Sequence, residues 1–546
     1  MNLPEGFGLS TCLLFSGILW GQSSAPEAGI PVTDPLVVAK CGSCHASDQY
    51  GNMQRISWER TTPEGWQEAL KRMVLVNGVS LTPAEARAIV KYLSTSHGLA
   101  PEEAKPVMYD VERRIYQETS IPNDNVGHAC ARCHSFARAL SWRRSLDDWK
   151  QLAEMHATRY KLPLNEEAIA FLAKAAPLHT PEWDAWSARE RTPNLAGRWL
   201  VTASIQGRGM YYGELRVDSA GDEFNTDVHL TSVQDGSKIV RFGRSAIYGA
   251  YAWRGRSQGG QAAGSAPDDP NNIAREVLWV SPDQSTAEGR WFWGQYQEFG
   301  FDVKLRRPSA DPTLITVDPR SLKTGSQNVR VRLIGDRIPV DLTPADFNFG
   351  PGVTVKRIVS ATPAEVMAEV DVAPDASLGR RDVALRGSVA PGALAIYDRV
   401  DYIKVTPESA LAAFGDQTHA RGYRQFEVIA YQRGADNKLH TADDVELGRV
   451  DPNDFTWSME VFYKAPGSDT AFVGSVSPTG FFAPAVDSPN NNFDVWVIAT
   501  AKVEKDKNGR PLVGKAYMVV TVPMYTLNGR RYVRDLDRWI DDGPAQ

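Results

Sequence analysis

Two copies of one five-residue pattern, Cys-x-x-Cys-His, constrain this chain more than any other feature of its sequence. The copies occupy residues 41–45 and residues 130–134. The 546-residue chain contains five cysteines, and the two motifs use all of them except Cys12. After residue 25 no cysteine remains for a disulfide, a zinc site or a catalytic thiol.

Each motif is suited to the covalent attachment of a c-type haem. Two thiols at this spacing reach the two vinyl groups on one porphyrin edge, and the following histidine can bind the iron from one face. A zinc site would need further ligands at motif spacing, and a redox dithiol would need a βαβ context; the sequence offers neither. The predicted binding residues of two haems c are Cys41, Cys44, His45, Cys130, Cys133 and His134.

An internal repeat indicates where the sixth iron ligands lie. A predicted helix with a tryptophan near its start, Trp66 or Trp149, follows each motif. Seven residues after these tryptophans stand Met73 and His156, and both side-chain types serve as axial haem ligands. We predict that Met73 ligates the first iron and His156 the second.

Other side chains compete for both positions, because a methionine at helical spacing is often only a core residue. The competitors are Met53, Met108 and His97 for the first iron, and Met155 and His179 for the second. With Met73 and His156 as ligands, the first haem has the higher reduction potential, because a thioether favours Fe(II) more than a second imidazole does.

The sequence changes from helical to strand-forming near residue 193. Residues 26–192 contain capped amphipathic helices, whereas short β-branched and aromatic runs between turn residues fill the remainder. The expected fold class is α + β multidomain, with an N-terminal helical dihaem cytochrome c domain and three antiparallel β domains. We place the β domains at residues 193–310, 311–405 and 406–546.

Residues 1–25 resemble a secretory signal peptide, with an apolar run too short to span a bilayer. No later segment approaches a membrane-spanning length of apolar residues. Because c-type haems are attached outside the cytoplasm in bacteria, we expect a periplasmic protein. The formal net charge of -6 gives no reason to expect a nucleic-acid partner.

An acidic segment in the last β domain could bind calcium through Asp436 and Asp443. Its spacing fits no EF-hand loop, and Asp and Asn are common in exposed turns. We favour a solvated hairpin turn.

Several stretches of the chain resemble one known family, the α (dihaem cytochrome c) subunit of quinohaemoprotein amine dehydrogenase. They are residues 62–66, 81–93, 195–199, 275–282 and 289–294. The likeness extends over nearly all of the mature chain. It implies a dihaem cytochrome domain and three β domains of barrel and immunoglobulin-like type.

The resemblance also implies a heterotrimer with a β-propeller subunit and a small subunit that carries cysteine tryptophylquinone. In that family the small subunit oxidises primary amines, and electrons pass through the haems to a soluble copper protein or cytochrome. A quinone built from Cys and Trp needs a free cysteine, which this chain lacks. We therefore expect it to transfer electrons and to carry no catalytic residue for amine oxidation. An independent dihaem cytochrome or peroxidase with β docking domains is the alternative.

Overall fold

The computed structural model describes nine stretches of the chain. They are residues 27–108, 121–131, 134–189, 191–218, 221–294, 297–416, 419–463, 469–486 and 491–522. The predicted signal peptide, which includes Cys12, lies outside the described residues, and so does Cys133.

The described N-terminal domain is helical and contains two short strands. Its helices are α1 (Pro35–Cys41), α2 (Pro63–Asn77), α3 (Pro83–Ser96), α4 (Pro101–Ala104), α5 (Asp124–Cys130), α6 (Phe136–Leu140), α7 (Leu146–Tyr160), α8 (Glu166–Ala175) and α9 (Pro181–Ser187). The strands are β1 (Glu59–Thr61) and β2 (Trp142–Arg144). The capping box predicted at Thr82 is confirmed. The side chain of Glu85 accepts a hydrogen bond from the backbone N–H of Thr82, and the side chain of Thr82 accepts one from the backbone N–H of Glu85.

The helical domain consists of two halves built to one plan. In the first half β1 leads into the helix pair α2 and α3, and in the second half β2 leads into α7 and α8. Trp66 donates its indole N–H to the carbonyl of His97, the residue that caps α3. Trp149 donates in the same way to the carbonyl of Ala176, which caps α8. The structure thus supports the repeat inferred from the sequence.

A short antiparallel ladder joins the two halves. Strands β1 and β2 pair so that Arg60 lies opposite Arg143. Residue 143 follows residue 60 by 83 positions, the same interval that separates Trp66 from Trp149. The equivalent residues Arg60 and Arg143 are therefore paired with each other, and the two flanking pairs are exchanged by the same relation. This is the pattern expected for a local twofold axis through the middle of the ladder.

The second domain is a closed eight-stranded antiparallel barrel. Its strands are β3 (Gly197–Ile205), β4 (Gly209–Val217), β5 (Glu223–Ser232), β6 (Lys238–Tyr248), β7 (Ala252–Gly259), β8 (Ala274–Val280), β9 (Thr286–Trp293) and β10 (Phe299–Arg306). Alternate residues point inward and fill the barrel with large side chains, among them Trp199, Trp253 and Trp291.

The third domain packs two four-stranded sheets against each other around one core. Its strands are β11 (Thr313–Asp318), β12 (Ser321–Lys323), β13 (Val329–Asp336), β14 (Phe347–Asn348), β15 (Val353–Ala361), β16 (Glu365–Val372), β17 (Gly379–Leu385) and β18 (Ser388–Tyr397). All its strand pairs are antiparallel except β12 with β18.

The fourth domain contains three small sheets around a core of its own. Its strands are β19 (Tyr402–Thr406), β20 (Ser409–Ala413), β21 (Arg424–Gln425), β22 (Glu427–Gln432), β23 (Val445–Arg449), β24 (Phe455–Val461), β25 (Gly474–Val476), β26 (Phe481–Pro484), β27 (Phe493–Lys505) and β28 (Pro511–Thr521). Strand β20 runs parallel to β28, and the other pairs are antiparallel. The predicted fold class, a helical domain followed by β domains, is confirmed.

The helical domain is fixed to the barrel by buried polar contacts. Glu64, near the start of α2, pairs with Arg254, and Arg275 donates to the same carboxylate at 3.1 Å. Tyr251 and Trp279 donate side-chain hydrogen bonds to backbone carbonyls of the helical domain at 3.0 and 2.8 Å. The start of α2, and with it the first half of the domain, is thereby anchored on the barrel.

Among the described helices, none is both long enough and apolar enough to cross a lipid bilayer.

Candidate haem-binding sites

The first motif begins at the last residue of α1 and folds back in one tight turn. Asp34 caps this helix by accepting the backbone N–H of Val37 at 2.9 Å. The backbone N–H groups of Cys44 and His45 both donate to the carbonyl of Cys41, at 3.1 and 2.9 Å. This turn brings the two thiols and the imidazole of one motif together.

The ring of His45 is oriented by a backbone hydrogen bond. Its Nδ1 lies 2.8 Å from the carbonyl oxygen of Gln54. Since a carbonyl can only accept, Nδ1 carries the proton and Nε2 carries the lone pair. Iron-ligating histidines use this arrangement, in which the second ring nitrogen donates to a carbonyl or carboxylate. Within the described residues Nε2 has no hydrogen-bond partner, so His45 fits the role of an axial ligand.

The second motif repeats this arrangement in the part that the structure describes. Cys130 is the last residue of α5, whose first turn is capped by Asn123. The Nδ1 of His134 lies 2.8 Å from the carbonyl oxygen of Ser135, which imposes the same tautomer as in His45. Each motif thus places a cysteine at a helix end. In each motif the histidine uses Nδ1 for the hydrogen bond to a backbone carbonyl, so the lone pair is on the other ring nitrogen, Nε2.

The described motif cysteines are half-buried except for Cys44, which is exposed. Burial raises the pKa of Cys130 to about 11. The pKa of Cys41 is also raised, first by burial and then by its neighbour Cys44. A redox dithiol needs a lowered thiol pKa, so these surroundings argue against that use.

The predicted sixth ligands occupy equivalent places in the two halves. Met73 and His156 are each half-buried, and each stands five residues before the left-handed residue that ends its helix, Gly78 or Lys161. The Nδ1 of His156 lies 2.8 Å from the carbonyl oxygen of Leu152, so its Nε2 also carries the lone pair. The Sδ of Met73 accepts a hydrogen bond from the side-chain amide one turn later at 3.3 Å. Ligation by these two residues remains a prediction.

The structure places most of the competing residues in other environments. Both ring nitrogens of the fully buried His97 are hydrogen-bonded, to the Ser96 hydroxyl at 2.9 Å and the Ile30 carbonyl at 3.1 Å. Met53 is completely buried in the core of the first half. The Nε2 of His179 is hydrogen-bonded to a backbone carbonyl at 2.7 Å.

The two remaining competitors are half-buried. Met108 lies at the junction with the barrel, beside Pro63 at the opposite end of α2 from Met73. Met155 immediately precedes His156 on α7, so it projects from a different side of that helix.

Sequence reasoning missed a buried network of charged residues between the two halves. Glu103 accepts hydrogen bonds from Arg60 at 2.8 and 3.0 Å and from Arg143 at 3.1 Å. A second cluster joins Arg144 to the carboxylates of Glu59 and Asp148. The only signal in the sequence was the 83-residue interval that aligns residue 60 with residue 143.

The acidic segment of the fourth domain forms a hydrogen-bonded turn. The Asp436 carboxylate accepts the backbone N–H of Lys438, and the Asp443 carboxylate accepts the backbone N–H of Asp436. In the described part of the chain, no three His, Cys, Asp or Glu side chains are grouped as they would be around a metal ion. The structure therefore agrees with a solvated turn at these residues.

Sequence models of four consecutive domains match this chain. Residues 32–170 match the model described as "Quinohemoprotein amine dehydrogenase A, alpha subunit, haem binding", and residues 192–308, 311–398 and 403–529 match domains II, III and IV of the same subunit. The chain belongs to the quinohaemoprotein amine dehydrogenase alpha subunit family. Its helical domain is the haem-binding domain of that alpha subunit, and the barrel is domain II.

No curated protein matches this alpha subunit. Among solved structures, a redesigned beta barrel and a de novo designed fluorescence-activating beta barrel each match 21% of the chain, at 14% and 16% sequence identity. The alignments cover 92% and 93% of those proteins, with a TM-score of 0.17 in both cases.

Proposed function

We propose that this alpha subunit is the electron-transfer subunit of a periplasmic amine dehydrogenase. Electrons enter from a quinone cofactor on a small partner subunit, pass through two covalently bound c-type haems and leave to a soluble copper protein or cytochrome c. One observation carries the proposal: the two halves of one haem-binding domain each present a Cys-x-x-Cys-His motif at a helix end, with the histidine tautomer set for iron.

In this proposal Cys41 and Cys44 attach the first haem, and Cys130 and Cys133 attach the second. Each thiol S–H adds across one vinyl C=C bond: a carbon–sulfur bond forms, the hydrogen goes to the other vinyl carbon, and no electron is exchanged. When bound, the two haems supply one-electron redox chemistry. The polypeptide supplies axial ligands and an apolar enclosure, which tune the potential of each iron.

The axial ligands set the direction of electron flow. Histidine and methionine at the first iron, from His45 and Met73, favour Fe(II) more than the two imidazoles of His134 and His156 do at the second. With these ligands the first haem would have the higher potential, so electrons would move from the second haem to the first.

Amine oxidation itself takes place on a partner subunit. A cysteine tryptophylquinone requires a cysteine that no haem uses, and both motifs together leave only Cys12. The chain therefore functions in a heterotrimer with a β-propeller subunit and a small quinone-bearing subunit. Its three β domains provide more surface than a simple electron carrier needs, which suits a scaffold for such an assembly.

The proposal is tested by native purification followed by mass measurement of every intact polypeptide. We expect two haem adducts on the mature chain, together with a propeller-sized partner and a small polypeptide whose mass shows an internal cross-link. A matched variant, Cys41→Ala with Cys44→Ala, should lose one adduct and keep the other.

Fewer than two adducts on natively expressed protein would contradict the dihaem assignment. A lone monomer with peroxidase turnover would favour an independent dihaem enzyme, because peroxide needs an open or displaceable sixth position. Recovery of the chain in the cytoplasmic fraction would contradict the periplasmic location.

A further inference from the structure

A group of four charged side chains, three of them buried, lies where the two halves of the haem-binding domain meet. We call it the Asp148 cluster, and it consists of Arg55, Glu59, Arg144 and Asp148. Arg144 contacts both carboxylates, and one guanidinium nitrogen of Arg55 lies 3.4 Å from Glu59 and 3.5 Å from Asp148. The side chain of Asp148 is 4% exposed, whereas that of Arg55 is 37% exposed. The cluster is thus buried, with one edge open to solvent.

Two carboxylates compete for one buried guanidinium in this cluster. Burial and the neighbouring charge of Glu59 raise the pKa of Asp148 to about 6, although Arg144 and Arg55 act in the opposite direction. The pKa of Glu59 is lowered, because Arg144 and Arg55 outweigh its burial. The charge of Arg72, on α2, also interacts with Glu59. Asp148 is therefore the member of the cluster that gains a proton most readily.

Asp148 lies on the same helix as the predicted ligand of the second haem. It precedes His156 by eight residues on α7, which corresponds to about 12 Å along the helix axis. Its neighbour Trp149 belongs to the apolar cluster against which Cys130 packs. With an effective dielectric constant of about 20, unit charges about 12 Å apart change each other's pKa by about one unit.

The first half of the domain has no counterpart of this carboxylate. The residue equivalent to Asp148 is Gly65, which lies 83 positions earlier. A Cβ atom at Gly65 would lie 2.1 Å from the Oγ1 of Thr61, so this position is closed to any larger side chain. The acidic group is specific to the half that carries the second motif.

We propose that Asp148 is a redox-linked protonation site for the second haem. This inference rests on the proposed function. When the second haem accepts one electron from the reduced quinone, the Asp148 carboxylate takes up a proton from solvent in part of the molecules. For a pKa that changes by about one unit, the average uptake is at most about half a proton. When the electron moves on, the proton is released. The net charge of this half then changes by about half a unit instead of one unit, which lowers the electrostatic cost of electron transfer.

The test is a potentiometric titration of both haems in the assembled holoprotein between pH 5 and pH 8. The potential of the second haem should fall as pH rises, because the ionised carboxylate disfavours the reduced iron. Between pH 5 and pH 8 we expect the redox equilibrium constant of the second haem to change about tenfold. For a one-electron couple this corresponds to a change in potential of about 59 mV. In Asp148→Asn this pH dependence should disappear, and the potential at pH 8 should rise by up to the same amount.

Asp147→Asn is the matched control. Asp147 is adjacent on the same helical turn, but its side chain is 87% exposed, so solvent screens its charge. This variant should keep the wild-type pH dependence.

A pH-independent second potential in the wild-type protein, or an unchanged slope in Asp148→Asn, would overturn the inference. If Asp148→Asn does not fold, infrared difference spectra of the wild-type protein decide. Reduction near pH 6.5 should produce the band of a protonated carboxyl group, and its absence counts against Asp148. Failure of the proposed function is a separate outcome, because it appears as fewer than two haem adducts by mass.

Discussion

Arg60 lies directly opposite Arg143 in the ladder between β1 and β2, and the two arginines occupy equivalent positions in the two halves of the haem-binding domain. Two buried positive charges meet at this local axis, and the carboxylate of Glu103 accepts hydrogen bonds from both. The residue 83 positions after Glu103 is Trp186, which carries no charge. A single carboxylate, contributed by the short helix α4, thus offsets one of the two positive charges that the repeat brings together.

Glu103→Gln should destabilise the protein strongly. Burial opposes ionisation of Glu103, but Arg60 and Arg143 outweigh it and keep its pKa below the usual range. The substitution leaves two buried guanidinium groups without a counter-charge, which typically costs about 3–5 kcal/mol. The free energy of unfolding by denaturant titration measures the loss. The control is Glu102→Gln at an exposed neighbouring residue of α4, which should change the free energy of unfolding by less than about 0.5 kcal/mol. Equal effects of the two variants would refute the role given to Glu103.

Glu64→Gln should loosen the contact between the helical domain and the barrel. Glu64 is 3% exposed and pairs with Arg254 and Arg275, which reduce its pKa to about 2 despite burial. We expect a loss of about 3–5 kcal/mol and an unfolding curve that separates into two transitions. The control is Lys91→Ala, which removes an exposed ion pair to Asp222 across the same two domains and should cost at most about 1 kcal/mol. A single unshifted transition in Glu64→Gln would contradict this prediction.

The buried His97 should make stability depend on pH. Burial lowers the pKa of His97 to about 4, so the folded protein binds fewer protons here than the unfolded chain, whose histidine has a pKa of about 6.5. Above pH 6.5 the neutral His97 makes its full contribution to the free energy of unfolding. This contribution is lost as pH falls toward 4, and the total loss is about 3 kcal/mol. Asp148 acts in the opposite direction, because its raised pKa favours the folded state at low pH.

Comparison of the wild-type protein with His97→Gln isolates the histidine contribution. The difference in unfolding free energy between the two proteins should shrink as pH falls from 6.5 to 4.5. The NMR signals of the His97 ring should report the neutral form throughout this interval. A ring that titrates near pH 6.5 would show that the prediction is wrong.

Substitution of the predicted sixth ligands should change one haem at a time. Met73→Ala should abolish the low-spin spectrum of the first haem, and His156→Ala that of the second. Met73→His should keep the first haem low-spin and lower its potential, because imidazole replaces a thioether. Absorption spectra and potentiometry of the purified variants provide the measurement. Met155→Ala, next to His156 on α7, is the control and should leave both spectra unchanged; the assignment fails if neither ligand substitution alters a low-spin spectrum.

Some features of this protein were determined by the sequence alone because they depend on residues close together in the chain. Thr82 and Glu85 specify a helix start within four residues, and alternating apolar residues specify the β domains. The interval from Trp66 to Met73 and from Trp149 to His156 revealed the repeat. Each of these signals reflects local backbone geometry, which tertiary contacts did not override here.

The junction between the two halves was decided only by the tertiary structure. Strands β1 and β2 are three residues long, too short for any periodicity to identify them. The ion pairs of Glu103 join residues about 40 positions apart, and those of Glu64 join residues about 200 positions apart. No local pattern encodes such pairs, because a charged side chain has the same intrinsic preferences whether it lies in solvent or beside a distant partner. Only the folded chain removes water from Glu103, Glu64 and Asp148, and that removal gives each carboxylate its individual electrostatic role.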